Sequence, residues 1–370
     1  MDLSQVFCSF VKSYLPNTEF SAQILQGDAG SRIYWRIYTA QQNYILAYNP
    51  SPCSNIKLFV RLTEYLRQHN FSAPYIYHQS LDQGLLLLED FGTNSANNYL
   101  SALKIEDRTS IYQLSIDLLI ELHKIPAPSF IGEFNSGLMI EELEVFTKYY
   151  IPYKFGRALT IDEISNLNSI LGQLFIRQKS TKSVLSLQDY HVDNLILLQD
   201  ETGIRPLRKL ANEEQMQGAY GAKKSNVHKV HEDLSTKSAK QLPSVVEFTG
   251  WPIKSLGLLD YQDAKNGSPI YDLVSILEDA RIEVPREEAL KYLRYYADKI
   301  SSNFEDILTD YHILGLQRNC RILGVFTRKY AQGCNNYLKF LPLVEKYLSY
   351  NLLHPVTSEF QKWCTGLSDK

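Results

Sequence analysis

The chain has 370 residues, 44% of them apolar and 21% charged, and a net charge of -3. That length exceeds one small core and favours two lobes, and the near-neutral charge excludes a general attraction to nucleic acid or to an anionic membrane. No run of 18 apolar residues offers a membrane span, and five widely spaced cysteines without a C-x-x-C pair point to reduced thiols in a cytoplasmic protein rather than to a zinc site.

Residues 1–16 predict an amphipathic helix stopped by Pro16 rather than a signal peptide, because Asp2 and other polar residues interrupt the apolar stretch. From 20 to 48 the pattern turns to strands: "FSAQIL", a turn at "QGDAGS", the alternating "RIYWRIYTA", then "NYILAYNP". A helix over 56–70 follows, then a strand, a turn and the buried strand "LLLLE". Residues 1–92 therefore predict a small β-rich lobe, and 93–370 a mainly helical one, in an α+β bilobal chain. Helices are expected over 108–125, 139–155 and 160–180, the last capped by Thr160 or Asp162. Two short apolar strands, "NLILL" and "SLGLLDY", precede further helices over 270–281, 286–300, 305–331 and 337–351. Between those two strands, residues 201–254 are polar and rich in charges of both signs, far longer than a hairpin needs. This stretch predicts an insertion looped out of the hairpin.

The chemistry gathers at the two short strands. "SLQDYHVDNLILLQD" (186–200) sets Asp189 and Asn194 five apart, just before an apolar run, and "GLLDYQDAKNGSPIYDL" (257–273) ends a second apolar run in Asp260. If the strands pair, these oxygens converge. Asn194 and Asp260 are the hard oxygen ligands that magnesium takes alongside substrate phosphates. Asp189 is placed to receive the proton of an attacking hydroxyl. D-x-x-x-x-N followed by a strand ending in Asp is a phosphoryl-transfer layout. Asp263 is a further candidate near the metal or substrate, or a turn acid. Asp193 caps, Asp272 and Asp279 cap or pair with Arg281, and His123 packs at a helix end. Glu283 and Arg318 stand between reaching substrate and making salt bridges.

With "QDYHVDN" (188–194) and "LLDYQDAKNGSPIYDLVSILEDAR" (258–281) in place, the chain resembles the aminoglycoside phosphotransferase-like branch of the protein-kinase fold. More narrowly it resembles bacterial cell-wall amino sugar kinases, the N-acetylmuramate/N-acetylglucosamine kinases. That likeness is carried by "GDAGSRIYWRI" (27–37), "LDQGLLLLEDFG" (81–92), "DARIEVP" (279–285) and "LQRNCRILGVFTR" (316–328). The resemblance covers nearly the whole chain outside 201–254. It implies ATP and Mg2+ as cofactors, a sugar acceptor phosphorylated at its anomeric hydroxyl, and a place in cell-wall recycling. It implies Asp189 as the catalytic base, Asn194 and Asp260 as metal ligands, and His191 as a loop-ordering or substrate residue. Glu89, Asp90 and Phe91 would form the hinge beside adenine, and Gly27, Gly30, Ser31 and Arg32 the turn over the phosphates.

The chain departs from that pattern in three places, the third being the 201–254 insertion, which falls between the catalytic loop and Asp260 and must leave the hairpin intact. The third strand, "NYILAYNP", lacks the lysine that bridges the nucleotide phosphates, leaving Arg32, Arg36 or Lys57 to supply the charge and Glu64 without its usual ion pair. Leu187 replaces the first histidine of the H-x-D triplet. These departures keep open a pseudokinase or nucleotide-binding scaffold, and a kinase of another hydroxylated molecule such as an aminoglycoside. A metal-dependent phosphoesterase built on Asp189, His191, Asp260 and Asp263 is a third reading.

Overall fold

The computed structural model describes the chain except residues 1–2, 26–31, 51–53, 181, 199–254 and 369–370. The expectations for Gly27, Gly30, Ser31 and the 201–254 insertion lie outside the described residues.

The N-terminal lobe is built on one antiparallel sheet of order β1-β2-β3-β5-β4. Its strands are β1 (Phe20–Leu25), β2 (Ile33–Thr39), β3 (Asn43–Tyr48), β4 (Ile76–Ser80) and β5 (Leu85–Glu89). Period-2 alternation gives the sheet two apolar faces. Ile37, Tyr44, Leu46, Leu85 and Leu87 pack under helix α1 (Leu3–Tyr14) through Phe10 and Val11. Ile45, Ala47, Leu86 and Leu88 point the other way, against Ile56 and Val60 of helix α2 (Ser54–Gln68). By the same alternation Tyr34 and Arg36 of β2 lie on the α2 face, which is the face turned to the second lobe.

The second lobe is helical: α3 (Ala96–Ala102), α4 (Thr109–Leu122), α5 (Ser136–Glu141), α6 (Ile151–Phe155) and α7 (Ile161–Phe175) precede its strands. Helices α8 (Ile270–Leu277), α9 (Arg286–Lys299), α10 (Phe304–Ala331), α11 (Leu341–Leu352) and α12 (Ser358–Ser368) follow them. The 28 residues of α10 make a rod about 42 Å long. One apolar core joins α4, α8 and α10 to the end of α2 through Leu62 and Leu66.

Four short strands form two hairpin-like pairs: β6 (Val184–Ser186) with β9 (Lys265–Gly267), and β7 (Leu195–Leu197) with β8 (Leu256–Leu258). They bracket the loop 187–194 and the turn 259–264. The expected pairing of the two apolar strands is present, with Leu195 opposite Leu258 and Leu197 opposite Leu256. The β6–β9 pair escapes a periodicity reading because three residues are too few to show a period.

Four expected helices differ: that over 270–281 ends at Leu277, where Glu278 leaves helical geometry, and that over 337–351 begins as a 3-10 stretch over Asn335–Phe340 before α11, which carries Pro342 in its first turn. The single helix over 139–155 is instead α5, a π-helical stretch over Phe146–Tyr150 and α6. Pro152 removes a backbone donor there, and Gly324 of α10 lets the backbone of Val145 and Phe146 press close. The helix expected over 160–180 ends at Phe175, because Asp310 draws the backbone N–H groups of Lys179 and Ser180 out to its carboxylate, at 2.6 and 2.8 Å. Thr160, not Asp162, caps it: its hydroxyl accepts from Glu163 N at 3.2 Å while Glu163 accepts from Thr160 N at 2.9 Å. Among the described residues no helix is long and apolar enough to cross a membrane, and Cys8, Cys320, Cys334 and Cys364 are free thiols.

Candidate active site

Helix α8 fixes the loop that carries Asp189. The fully buried Asp272 accepts hydrogen bonds from Ser186 Oγ at 3.1 Å, Leu187 N at 2.6 Å and Gln188 N at 2.9 Å. Burial pushes the Asp272 carboxyl up to about 6, while those three donors hold it down. Ser275 Oγ donates to Gln188 O at 3.1 Å, supporting a residue whose φ of 68° lies in the left-handed region. Seven residues further on, just past the end of α8, Asp279 accepts from Val192 N at 3.0 Å and pairs with Arg281 at 3.2 Å; Arg281 also reaches Asp193 at 2.5 Å. The expected Asp279–Arg281 pair is therefore present. Asp272 neither caps nor pairs: it holds the loop backbone.

The loop ends at Asn194, and Asn194 ties the two halves of the site together. Its Nδ2 donates to Asp189 O at 2.9 Å and lies 3.1 Å from His191 Nε2, and its backbone oxygen accepts from Leu259 N at 2.9 Å. Asp260, the next residue, is thereby brought beside the loop, with φ at 55° turning its side chain out of the strand direction. The Asp189 carboxylate is half-buried and makes no hydrogen bond among the described residues. Its acidity is weakened, by burial first; Arg321 and Arg318 oppose the shift, and the nearby charges of Asp260 and Asp263 add to it. His191 is buried and neutral, its pKa lowered to about 3 chiefly by that burial.

Asp260 accepts from Arg32 and from Gln262 on one oxygen, at 3.0 and 2.9 Å. Asp260 Oδ2 and Asn194 Oδ1 carry no hydrogen bond among the described residues, so two hard oxygens stand open on adjoining segments. That donor set fits magnesium, which keeps several waters and few protein ligands. Asp263 is exposed and within reach of Gln262 at 3.4 Å. No group of three or more His, Cys, Asp or Glu that could hold a metal exists among the described residues.

Across the cleft the structure separates the three candidate cations. Lys57 is exposed. Arg36 is committed to the segment joining the lobes, 2.7 Å from Asp90 and donating to Gly92 O at 3.0 Å. Arg32 alone of the three faces the Asp260 carboxylate. Glu64 is exposed on α2, while Ala47 occupies the α2 face of β3. Glu89 is buried, accepting from Tyr75 N at 3.1 Å with Arg67 3.8 Å away. The Phe91 ring lies over Gly257 of β8, so close that a β-carbon there would sit 2.6 Å from it.

Four contributors were not singled out from the sequence. Tyr34 lines the cleft beside Arg32, and alternation along β2 could have placed it there. Tyr261, which follows the Asp260 carboxylate, stacks on Phe59 at 5.1 Å and hydrogen bonds Thr63 at 2.6 Å, joining α2 to the second lobe. Gln262 braces Asp260, and Arg321 of α10 reaches the site from more than a hundred residues away, with no local signal. Glu283 is exposed and pairs with Lys346 at 2.6 Å, and Arg318 donates to Glu278 O at 3.3 Å. His123 is buried, as expected of a packed histidine.

Comparison with known proteins fits this geometry. A relative from Caulobacter vibrioides, an N-acetylmuramate/N-acetylglucosamine kinase, is 24% identical over 92% of this chain and 90% of its own. The choline kinase LicA from Streptococcus pneumoniae superposes with a TM-score of 0.57 at 14% identity, covering 95% of this chain and 100% of that one. A spectinomycin phosphotransferase crystallised with ADP and spectinomycin superposes with a TM-score of 0.53 at 14% identity, over 95% of each. These solved structures share the bilobal kinase-like fold. The model of the phosphotransferase enzyme family matches residues 21–205, half of the sequence, and the chain belongs to that family.

Proposed function

We propose that this phosphotransferase is an ATP- and magnesium-dependent sugar kinase acting on the anomeric hydroxyl of N-acetylmuramate or N-acetylglucosamine. The observation that carries the reading is the double role of Asn194, bonded to Asp189 through its side chain and to Leu259 through its backbone. A proton acceptor and a pair of open metal-binding oxygens are thus held on one rigid frame. The relatives' names supply the acceptor class, and the ADP held by the spectinomycin enzyme supports the nucleotide.

In this reading Asp189 accepts the proton of the sugar hydroxyl as its oxygen bonds to the γ-phosphorus and the bond to the β-phosphate oxygen breaks, releasing ADP. Its weakened acidity suits a base that must hold a proton briefly. Arg32 meets the phosphates in place of the lysine absent from β3, moving from Asp260 to a more highly charged partner. His191, uncharged, orders the loop through Asn194. Asn194 and Asp260 would hold magnesium, which neutralises charge on the phosphate oxygens when bound. The hinge 89–91 borders adenine, with Phe91 closing the apolar floor against Gly257.

The test is mass spectrometry of each amino sugar after incubation with protein, ATP and magnesium. Gain of one phosphoryl group together with loss of reducing power is expected, since an anomeric phosphate blocks the open-chain aldehyde. Phosphorylation with reducing power intact would move the acceptor to another hydroxyl. Nucleotide binding without transfer to either sugar would overturn the reading in favour of a scaffold or of a kinase for another alcohol.

A further inference from the structure

Asp189 feels the charges of Asp260 and Asp263 and of Arg321 together, and Glu142 lies against that arginine, so a negatively charged acceptor at Asp189 would be repelled unless a cation stood among these carboxylates. Arg321 stands there. Its Nε lies 3.2 Å from Glu142, with the arginine side chain about one-third exposed (32%). The guanidinium interacts electrostatically with Tyr271, Glu142, Asp189 and Asp263 together. Beyond Glu142 it makes no hydrogen bond among the described residues, so its terminal nitrogens remain available. Glu142 is itself braced by Gln317 Nε2 at 3.4 Å, one turn before Arg321 on α10. The neighbouring cations are engaged elsewhere: Arg318 is buried on Glu278 O, and Arg281 lies between Asp193 and Asp279.

A second feature marks the same region. Among the described residues the buried Tyr271 hydroxyl and Gln317 Oε1 have no hydrogen-bond partner, and neither does Asn266 Oδ1, whose residue adjoins Tyr271 through Phe134. Buried polar atoms left unpaired are costly, and these lie beneath the surface, so the interior behind the Arg321–Glu142 pair is polar rather than apolar.

We propose that Arg321 is the acceptor-specificity residue, its guanidinium taking the carboxylate of an acidic amino sugar and so favouring that acceptor over its neutral counterpart. This rests on the sugar-kinase reading above. The two sugars in the relatives' name differ by one lactyl ether carboxylate, present on N-acetylmuramate and absent from N-acetylglucosamine. An arginine held by a glutamate presents a pre-oriented fork to a carboxylate, which a lysine does not.

The test compares kcat/KM for both sugars in the parent, Arg321→Gln and Arg321→Lys. The ratio of sugar acid to neutral sugar should fall by about 30-fold in Arg321→Gln, carried by KM for the sugar acid, with Arg321→Lys between it and the parent. A parallel fall for both sugars would overturn the proposal, since it would mark Arg321 as a positioning residue for Asp189. So would a parent enzyme that phosphorylates the neutral sugar and ignores the acid; in both cases the sugar-kinase reading stands. A parent that phosphorylates neither sugar removes that reading, and the specificity role with it.

Discussion

Asp189 carries the sharpest expectation at the scale of single residues. Its carboxylate makes no hydrogen bond among the described residues, so removing its charge should leave the fold intact. Asp189→Asn is expected to lower phosphoryl transfer about a thousandfold while the Kd for ATP stays within about threefold of the parent. Isothermal titration beside a turnover assay separates the two, and undiminished turnover would remove Asp189 from the chemistry. His123 offers a different test. It is buried against the Tyr296 hydroxyl, 3.3 Å away, and burial lowers its pKa to about 3 from 6.5. Between those values the unfolded chain binds a proton that the folded protein refuses. Its contribution to stability is therefore complete above pH 6.5 and drains away as the pH falls towards 3. Relative to the parent, His123→Leu should gain about 2 kcal/mol on going from pH 7 to pH 5. Urea unfolding at both values would measure this, and an unchanged difference would mean that His123 titrates normally.

Among the elements, α8 and α10 do most to set the site. Asp272 on α8 and Asp279 just past its end lie seven apart, and both turn their carboxylates to backbone N–H groups of the 187–194 loop. Their spacing was visible in the sequence; the identity of their partners was not, because backbone donors leave no residue signature. On α10, Gly324 faces the backbone of Val145 and Phe146, where a β-carbon would come within 2.5 Å. Neither atom belongs to a side chain that could rotate away. Gly324→Ala should therefore destabilise the protein by about 2 kcal/mol or more, read from the midpoint of thermal or urea unfolding. An unchanged midpoint would mean that the π-helical stretch shifts freely against α10.

The whole molecule depends on bringing two distant segments to one cleft. Leu198 N donates to Ser255 O at 2.8 Å, so the chain leaves β7 and enters β8 at almost the same place. Replacing residues 199–254 by a two-residue Asn-Gly turn is therefore expected to give a folded protein with phosphoryl transfer within about threefold of the parent. Circular dichroism and a turnover assay would check it; a folded but inactive product would give the segment a role in the reaction. Lobe-to-lobe contact runs through Tyr261 on Phe59 and Thr63, and through Arg32 on Asp260. Neither contact involves residues close in sequence.

The alternating strands of the first lobe, the amphipathic helices of the second and the candidates at 189, 194 and 260 could all be read from the order of residues along the chain. Those features are written in local periods and short spacings, which nearby residues enforce. It took the folded chain to show that Arg32, rather than Arg36 or Lys57, faces Asp260, and that Asp272 holds the loop. Folding alone brought the charge of Arg321 to bear on Asp189, and it broke the helix expected over 139–155. Each of these depends on contacts between residues far apart along the chain, where packing overrides local propensity and no period in the sequence records the partner.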